Sequence, residues 1–442
     1  MSQVFYREPA ASYPVAVRGA GVYLYDADGR DYLDMSGGAA VSAVGHGHPQ
    51  LIAAIQDQVE RLAFAHTSFF TNEAQEELAE RLAARFGEPD AKAWFTSGGS
   101  EANESALKIA WQYWRARGKP DKSIVISRQW SYHGGTLGAV SVSGSLFRRA
   151  PYEKVLHDWP RIAPCYAYRH RRDDESEAEY GQRAANELES ALEIAGAENV
   201  AAFIAEPVVG ATLGAVAAVP GYFRTIREIC DRHEVLFIAD EVMCGSGRTG
   251  TFFAHEADGV LPDLVTLAKG IGGGYQPLGA VVCRDAIREA IASDPGGFAH
   301  GHTYVGHPVA CAAGVAVQRI FDDGLLASVP ARGRRLLELL CDNFGSHPHV
   351  GDIRGRGLFA GIEFVQDRES KAAFPADAKI AAKLKKALMA NGLILYPGGG
   401  SVDGRAGAHV LIAPPFVAEQ EDFEELCARL AKALDGVFGN GG

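Results

Sequence analysis

Short apolar runs alternate with longer amphipathic segments along most of this chain. Residues 101–117 and 221–233 carry apolar side chains three and four positions apart, which predicts helices. Five apolar runs rich in β-branched residues predict strands at 123–127, 200–205, 235–239, 264–268 and 279–283. This alternation is typical of βαβ units, and it predicts an α/β fold with a largely parallel sheet.

The two ends of the chain have a different pattern from its middle. From about residue 419 the sequence predicts one amphipathic helix, with apolar positions at Phe423, Leu426, Leu430 and Leu434. A composition shift near residues 322–330 predicts a boundary. We therefore expect a large domain over residues 61–325 and a small α+β domain built from residues 1–60 and 326–442.

Composition excludes several classes of function. The chain has 442 residues and a formal net charge of −12, which argues against a nucleic-acid-binding protein because phosphate binding needs clustered Lys and Arg. The seven cysteines are scattered without CxxC spacing, which argues against disulfides and structural zinc and predicts small buried side chains. The mixed charges of residues 169–179 predict a solvated surface segment. We expect neither a membrane span nor a signal peptide, and hence a cytoplasmic protein.

The 51 glycines exceed the roughly 31 that average usage would give, and many follow apolar runs. In the segment Ser97-Gly98-Gly99-Ser100 the glycines allow backbone N–H groups to approach an anion at a helix start. This predicts a phosphate site, with an ordinary helix cap as the alternative. The segment lacks GxxxxGK[ST] and GxGxxG patterns, which disfavours nucleoside triphosphates and dinucleotides.

Two more polar residues end apolar runs. Asp240 follows a buried run, where a carboxylate needs a cation such as a protonated ring nitrogen, or else a structural salt bridge. Lys269 ends the next run; such a lysine is usually solvent-facing, but it can also lose its proton and attack an aldehyde. Together with the phosphate site, the two residues meet the three anchoring needs of pyridoxal phosphate.

The order of these motifs resembles the class III pyridoxal-phosphate aminotransferases of fold type I, including ω-amino acid and amine:pyruvate transaminases. The resemblance covers nearly the whole chain, and it rests on Gly45-His46-Gly47-His48-Pro49, Gly99-Ser100-Glu101-Ala102-Asn103, Tyr132-His133-Gly134, Glu206-Pro207, Asp240-Glu241-Val242, Lys269-Gly270 and His302-Thr303-Tyr304. It implies a fold type I architecture, with a mostly parallel central sheet in the large domain and a small α+β domain from both chain ends.

The resemblance also implies a set of residues that bind pyridoxal 5'-phosphate: Gly99, Ser100, Tyr132, His133, Glu206, Asp240, Val242, Lys269 and Thr303. Within it, Gly99 and Ser100 hold the phosphate, and Tyr132 and Val242 cover the two faces of the pyridine ring. Glu206 is an acid near the cofactor.

The catalytic residues implied are Lys269, Asp240 and Tyr132. Lys269 carries the cofactor as a Schiff base, the internal aldimine, and later moves the proton, while Asp240 pairs with the ring nitrogen. Thr303 reaches the phosphate of the neighbouring subunit's cofactor. We therefore expect a homodimer, which would form tetramers if dimers pair.

Five residues bear on the substrate. Ala39 and Ala40 stand where many relatives have a bulky side chain, which implies a roomier pocket. Ala211 stands where the 2-oxoglutarate branch has an acid that gates an arginine, so we expect pyruvate as the acceptor. Arg405 is the expected cation for a substrate carboxylate, with a surface-loop arginine as the alternative. Phe69 would add an apolar wall across the dimer interface.

The sequence thus predicts an EC 2.6.1.- transaminase that moves an amino group from an amine or ω-amino acid to a 2-oxo acid. Alternatives on the same fold are an amino-acid racemase or epimerase, an aminomutase, a decarboxylating relative and, remotely, a non-catalytic scaffold. The intact Lys269, Asp240 and Tyr132 disfavour the scaffold. No metal is expected, because no Cys or carboxylate set accompanies the clustered histidines, which are His46, His48, His300, His302 and His307.

Overall fold

The computed structural model describes residues 2–9, 11–88 and 90–439. The strands are β1 (Ala16–Ala20), β2 (Tyr23–Asp26), β3 (Asp31–Asp34), β4 (Lys92–Thr96), β5 (Ile124–Arg128), β6 (Arg161–Ile162), β7 (Val200–Ala205), β8 (Val208–Val209), β9 (Val216–Ala217), β10 (Leu236–Asp240), β11 (Leu264–Leu267), β12 (Gly279–Cys283), β13 (Val350–Gly355), β14 (Ala360–Asp367), β15 (Ala372–Ala373), β16 (Leu393–Ile394), β17 (Tyr396–Gly399) and β18 (Ala408–Ile412).

The helices are α1 (Gly37–Ala40), α2 (Pro49–Arg61), α3 (Glu73–Phe86), α4 (Gly99–Ala116), α5 (Leu137–Val142), α6 (Leu146–Arg149), α7 (Ala167–His170), α8 (Glu177–Ala195), α9 (Tyr222–Arg232), α10 (Asp285–Ala292), α11 (Pro308–Ile320), α12 (Leu326–Phe344), α13 (Ile380–Ala390) and α14 (Gln420–Phe438). The first of these is a single turn with positive φ throughout. Within the described residues, no helix is long and apolar enough to cross a bilayer.

A seven-stranded sheet forms the centre of the protein, with the order β4-β12-β11-β10-β7-β5-β6. Strand β12 is antiparallel to both neighbours, and the other pairs are parallel. This confirms the predicted α/β fold. The predicted strands lie within one residue of the observed ones, and β10 extends one residue further than predicted, so that Asp240 is its last residue.

Strand β10 is buried on both faces of the central sheet. Phe237 and Ala239 pack into the larger hydrophobic cluster, whereas Ile238 points into a second cluster that α4 covers. Because successive side chains point to opposite faces, both faces need apolar residues. The continuous apolar run before Asp240 is therefore the sequence of a central strand with helices on both sides.

Two smaller sheets lie at the chain ends. Strands β1, β2 and β3 share a four-stranded sheet with β16, in which Leu33 pairs with Leu393. Strands β13, β14, β17 and β18, with β15, form the other. The two ends of the chain thus meet in one sheet. A π-helical segment, Phe321–Leu325, joins α11 to α12, and the chain kinks within it at Gly324 (φ +108°), next to the predicted boundary at residue 325. The domain boundaries stay a prediction.

Two sequence-based expectations about side chains are confirmed for most of their residues and wrong at one residue each. Arg169, at the start of the charged segment, is not simply solvated, because it donates from Nε to the fully buried Glu363 (2.8 Å). Residues 171–174 and 176–179 are exposed as predicted. Six cysteines are buried, but Cys341 is exposed on α12. A buried partner distant in the chain keeps Arg169 in place, and local charge patterning does not encode it.

We predict that Phe237→Ala lowers the free energy of unfolding by about 3–5 kcal/mol, because it removes a fully buried ring and leaves a cavity. Phe237 stacks on Phe203 and Phe223, with centroids 6.3 and 5.7 Å apart. Urea unfolding followed by circular dichroism measures the change. The control Ile194→Ala, at an 86% exposed position, is expected to change stability by less than about 0.5 kcal/mol. Equal losses in both variants would contradict the packing described.

Candidate active site

Four neighbouring parallel strands bring predicted site residues to one edge of the central sheet. Asp240 ends β10, Lys269 follows β11 after one residue, and Glu206 directly follows β7. Tyr132 and His133 lie in the loop after β5. In open α/β sheets ligands bind outside the carboxyl ends of the strands. The strand order therefore explains how residues far apart in sequence come together.

Asp240 is 3% exposed, and its carboxylate is held by groups from several elements. Oδ2 accepts hydrogen bonds from His133 Nδ1 (2.7 Å) and Asn103 Nδ2 (2.8 Å), and Oδ1 accepts one from the Val242 backbone N–H (3.0 Å). The Thr266 hydroxyl donates to Asn103 Oδ1 (2.8 Å), which fixes the orientation of that amide. These donors offset the cost of burying a charged group.

Lys269 combines a strained backbone with a perturbed amine. Its φ is +51°, a left-handed conformation that costs a residue with a side chain about 1–3 kcal/mol. Burial lowers the pKa of the Lys269 amine, whereas the nearby carboxylates of Asp240 and Glu206 oppose this shift. A larger fraction of the amine is therefore neutral at a given pH than for an exposed lysine. A neutral amine is the nucleophilic form.

Glu206 supports the segment that carries Tyr132. Its Oε1 accepts a hydrogen bond from the Tyr132 backbone N–H (3.1 Å), and its Oε2 accepts one from the Gly210 N–H (3.1 Å). Burial raises the pKa of the Glu206 carboxyl group, and the nearby charge of Asp240 adds to this effect. Glu206 thus connects the loop after β5 to the turn after β8.

Glycines let the start of α4 approach its neighbours closely. A Cβ on Gly99 would lie 2.5 Å from Val242 Cγ1, and one on Gly134, whose φ is +135°, would lie 2.7 Å from the Cα of Ser100. The Ser100 hydroxyl accepts a hydrogen bond from the Gly135 N–H (2.9 Å). The first N–H groups of a helix lack partners within the helix and favour anions. This corner of the site can therefore bind a phosphate group.

A cavity of about 960 Å³ opens between the loop after β5 and the small sheet with β17 and β18. Its lining includes Trp130, Arg148, Ala211, Tyr396 and Arg405. The structure thus brings together two of the predicted substrate residues, Ala211 and Arg405. Arg405 itself is exposed.

The other predicted substrate residues lie in different surroundings. Ala39 and Ala40 have φ values of +69° and +64° in α1. Ala40 belongs to a buried cluster against which Ala39 and Ala211 pack. Phe69 is 80% exposed. Thr303 lines a second cavity of about 500 Å³, which shares no lining residue with the first among the described residues.

Sequence reasoning missed two residues that the structure brings to the site. Asn103 stood in a recognised motif without a role, although its position one helical turn after Gly99 places it on the same face of α4. The sequence pattern assigned no role to Arg148, yet its guanidinium lies 4.2 Å from the centroid of the Tyr132 ring. The only sequence signal for Arg148 was its place in a pair of arginines that follows the exposed Leu146 and Phe147. Among the described residues, no group of three or more His, Cys, Asp or Glu is placed to hold a metal ion.

Comparisons with known proteins agree with this geometry. A family model described as aminotransferase class-III matches residues 6–434. An uncharacterized aminotransferase of Schizosaccharomyces pombe is 42% identical over 98% of this chain and 94% of its own length. An (S)-enantioselective omega-transaminase of Thermomicrobium roseum has a TM-score of 0.90 and 38% identity, covering 97% of this chain and 94% of that one. The omega transaminase of Pseudomonas jessenii, solved in complex with PMP, has a TM-score of 0.90 and 34% identity, and the match covers 97% of this chain and 94% of that one.

We predict that Asp240→Asn lowers the pKa of Lys269 further. Burial already lowers this pKa, and the Asp240 charge opposes it, so removing the charge leaves burial less compensated. The pH dependence of Lys269 modification by an amine-reactive reagent, read by mass spectrometry on cofactor-free protein, measures the change. The exposed control Asp173→Asn is expected to leave the curve in place. A rise in the Lys269 pKa in Asp240→Asn would contradict the electrostatics described.

Proposed function

The chain belongs to the class III aminotransferases, and from that premise we propose that it transfers an amino group from an amine or ω-amino acid to pyruvate. One observation carries the proposal: a buried carboxylate, a lysine with a lowered pKa and a glycine-lined helix start meet at the carboxyl edge of the central sheet. These are the three anchors that pyridoxal 5'-phosphate needs.

The residues present fit pyridoxal 5'-phosphate, the cofactor of this family. Lys269 would hold its aldehyde carbon, Asp240 its ring nitrogen, and Gly99 with Ser100 its phosphate. The close contact between Gly99 and Val242 supports this assignment, because a side chain at position 99 would fill the corner. When bound, the cofactor takes up the amino group and delocalises the electrons released at the substrate carbon.

Each of this chain's residues then has a defined task. The donors on Asp240, which include His133 and Asn103, hold its carboxylate in one orientation. Glu206 fixes the backbone of Tyr132, whose ring would cover one face of the cofactor while Val242 covers the other. Lys269 Nζ would accept the proton released at the donor carbon and hold it for return later in the transfer.

A homodimer would complete the site. Thr303 would bind the phosphate held by the partner subunit, as expected for this family. Exposed aromatic side chains lie around the Thr303 loop and support an interface there, because monomers seldom leave such patches uncovered. Phe69, Phe70 and Tyr304 are 80%, 69% and 59% exposed, and the ring centroid of Phe64 lies 5.8 Å from that of Tyr304.

We predict that donor alone converts the holoenzyme in one turnover and then stalls, because the amino group stays on the cofactor until an oxo acid arrives. Absorbance of the cofactor and the yield of aldehyde or ketone measure this with 4-aminobutyrate and 1-phenylethylamine. Lys269→Ala is expected to lose at least about a thousandfold in rate, whereas the exposed control Lys383→Ala retains it. A racemase would invert a single enantiomer of 1-phenylethylamine, the chiral donor, without stalling, and a scaffold would show no change in absorbance.

We predict that pyruvate is a better acceptor than 2-oxoglutarate by at least about tenfold in kcat/KM. Members of the 2-oxoglutarate branch have, at the position of Ala211, an acid that gates a substrate-binding arginine, and this chain lacks that acid. Initial rates with one donor and each oxo acid measure the preference. The variant Ala211→Glu tests the cause, since it is expected to reduce the preference. A wild-type preference for 2-oxoglutarate would overturn the assignment of the acceptor.

A further inference from the structure

The single turn α1 is wound in the left-handed sense, which is unusual for L-amino acids. Its residues, Gly37–Ala40, all have φ between +52° and +69°. In this conformation Cβ comes too close to the following carbonyl oxygen, so Ala39 and Ala40 are strained, whereas the two glycines are not. Strain of this kind persists only where the surrounding structure imposes it. The turn therefore needs contacts that hold it.

Asp34 supplies the contacts at the start of the turn. It ends β3, is 1% exposed, and its Oδ1 accepts hydrogen bonds from the Ser36 hydroxyl (3.1 Å) and the Gly38 backbone N–H (3.4 Å). Its Oδ2 lies 3.4 Å from His46 Nε2. One buried carboxylate thus joins the end of a strand, the left-handed turn and a histidine that follows the turn.

The turn is also closed from within and pressed from outside. The Val41 N–H donates to the Gly37 carbonyl (2.7 Å), which closes the turn. A Cβ on Gly37 would lie only 2.8 Å from the carbonyl oxygen of Ala413, so the chain after β18 packs directly against this point. The turn therefore determines where the segment that follows it begins.

The residues directly after the turn pack against glycines that follow Lys269. A Cβ on Gly273 would lie 3.2 Å from Val44 Cγ2, and one on Gly274 would lie 3.1 Å from Val41 Cγ1. Both glycines have positive φ, at +60° and +86°, so they serve the backbone as well as the close approach. The segment after Lys269 therefore rests on residues that the left-handed turn positions.

A tyrosine joins the same two segments by hydrogen bonds. The Tyr275 hydroxyl donates to the Gly45 carbonyl (3.0 Å) and accepts from the His48 backbone N–H (2.6 Å). Gly45 and His48 belong to the Gly-His-Gly-His-Pro motif, to which the cofactor contacts proposed above assign no role. The motif fixes the far end of the segment that begins at the turn.

We propose that Asp34 is a positioning residue for the amino-group transfer. By holding the left-handed turn, it fixes residues 41–48 against the segment after Lys269, and so it fixes the backbone that carries the reacting amine. Lys269 is itself strained at φ +51°, and a small displacement of a reacting group lowers the rate strongly. The inference rests on the proposed function, in which Lys269 moves the proton.

The first test is hydrogen–deuterium exchange of the cofactor-free protein, read by mass spectrometry. Asp34→Ala is expected to raise amide exchange rates at least about tenfold in residues 37–44 and in residues 270–276, because the two segments hold each other. Helix α13 is expected to keep its rates. The exposed control Asp28→Ala, in the turn before β3, is expected to match the wild type. Exchange that rises in residues 37–44 alone, or throughout the protein, would overturn the proposal.

The second test uses glycine, which adopts a left-handed turn without strain. Asp34→Ala is expected to lower kcat of the holoenzyme about 10- to 100-fold, while KM for the oxo acid changes less than about threefold. In the Ala39→Gly/Ala40→Gly background the same substitution is expected to lower kcat less than about threefold. Asp34→Asn, which keeps one acceptor oxygen, is expected to lose less, and it replaces Asp34→Ala in both tests if that variant does not fold.

Two further outcomes would overturn the inference. An equal loss of kcat in both backgrounds would mean that Asp34 acts otherwise, such as by its charge, which opposes the lowering of the Arg248 pKa by burial. The melting temperature is expected to rise about 1 °C in Ala39→Gly and to fall in the exposed helical control Ala53→Gly, and a fall in both would mean that the turn is not strained. A wild type that transfers no amino group would instead overturn the proposed function, since the exchange test needs neither cofactor nor substrate.

Discussion

A buried negative charge at the end of the central strand is the constraint on which the site depends. Asp240 is 3% exposed, and a carboxylate in such surroundings needs donors on both oxygens. Asn103 comes from α4, His133 from the loop after β5, and the Val242 N–H from the turn after β10 itself. Meeting this one requirement fixes the helix start, the aromatic loop and the strand end relative to each other.

The same charge also affects the balance between the neutral and the ammonium form of Lys269. Burial alone would favour its neutral form, while Asp240 and Glu206 stabilise the ammonium form. The result is an amine that can react and can also hold a proton, which is what an amino-group transfer requires of one residue. Its left-handed backbone, with φ +51°, is a strained conformation of the kind that collects at functional sites.

The sequence was sufficient to predict five of the seven strands of the central sheet and the polar residues that follow two of them. Asp240 and Lys269 could be found because each is a single polar residue after an apolar run. The contacts of Asn103 and Arg148 could not be predicted from the sequence. They depend on the strand order β11-β10-β7-β5 and on the position of α6, and the periodicity of the sequence gives neither. The pairing of Arg169 with Glu363 was missed for the same reason, since 194 positions separate them.

The most direct test of the account is to reduce the holoenzyme with borohydride and locate the modified lysine by mass spectrometry. We expect the cofactor's mass on the peptide that contains Lys269, because burial lowers the pKa of this lysine and the nearby Asp240 charge acts on it. Lys122 is the informative comparison, since burial lowers its pKa to about 8 as well, although it donates to backbone carbonyls away from the site. Label on Lys122, or on no lysine, would contradict the central claim.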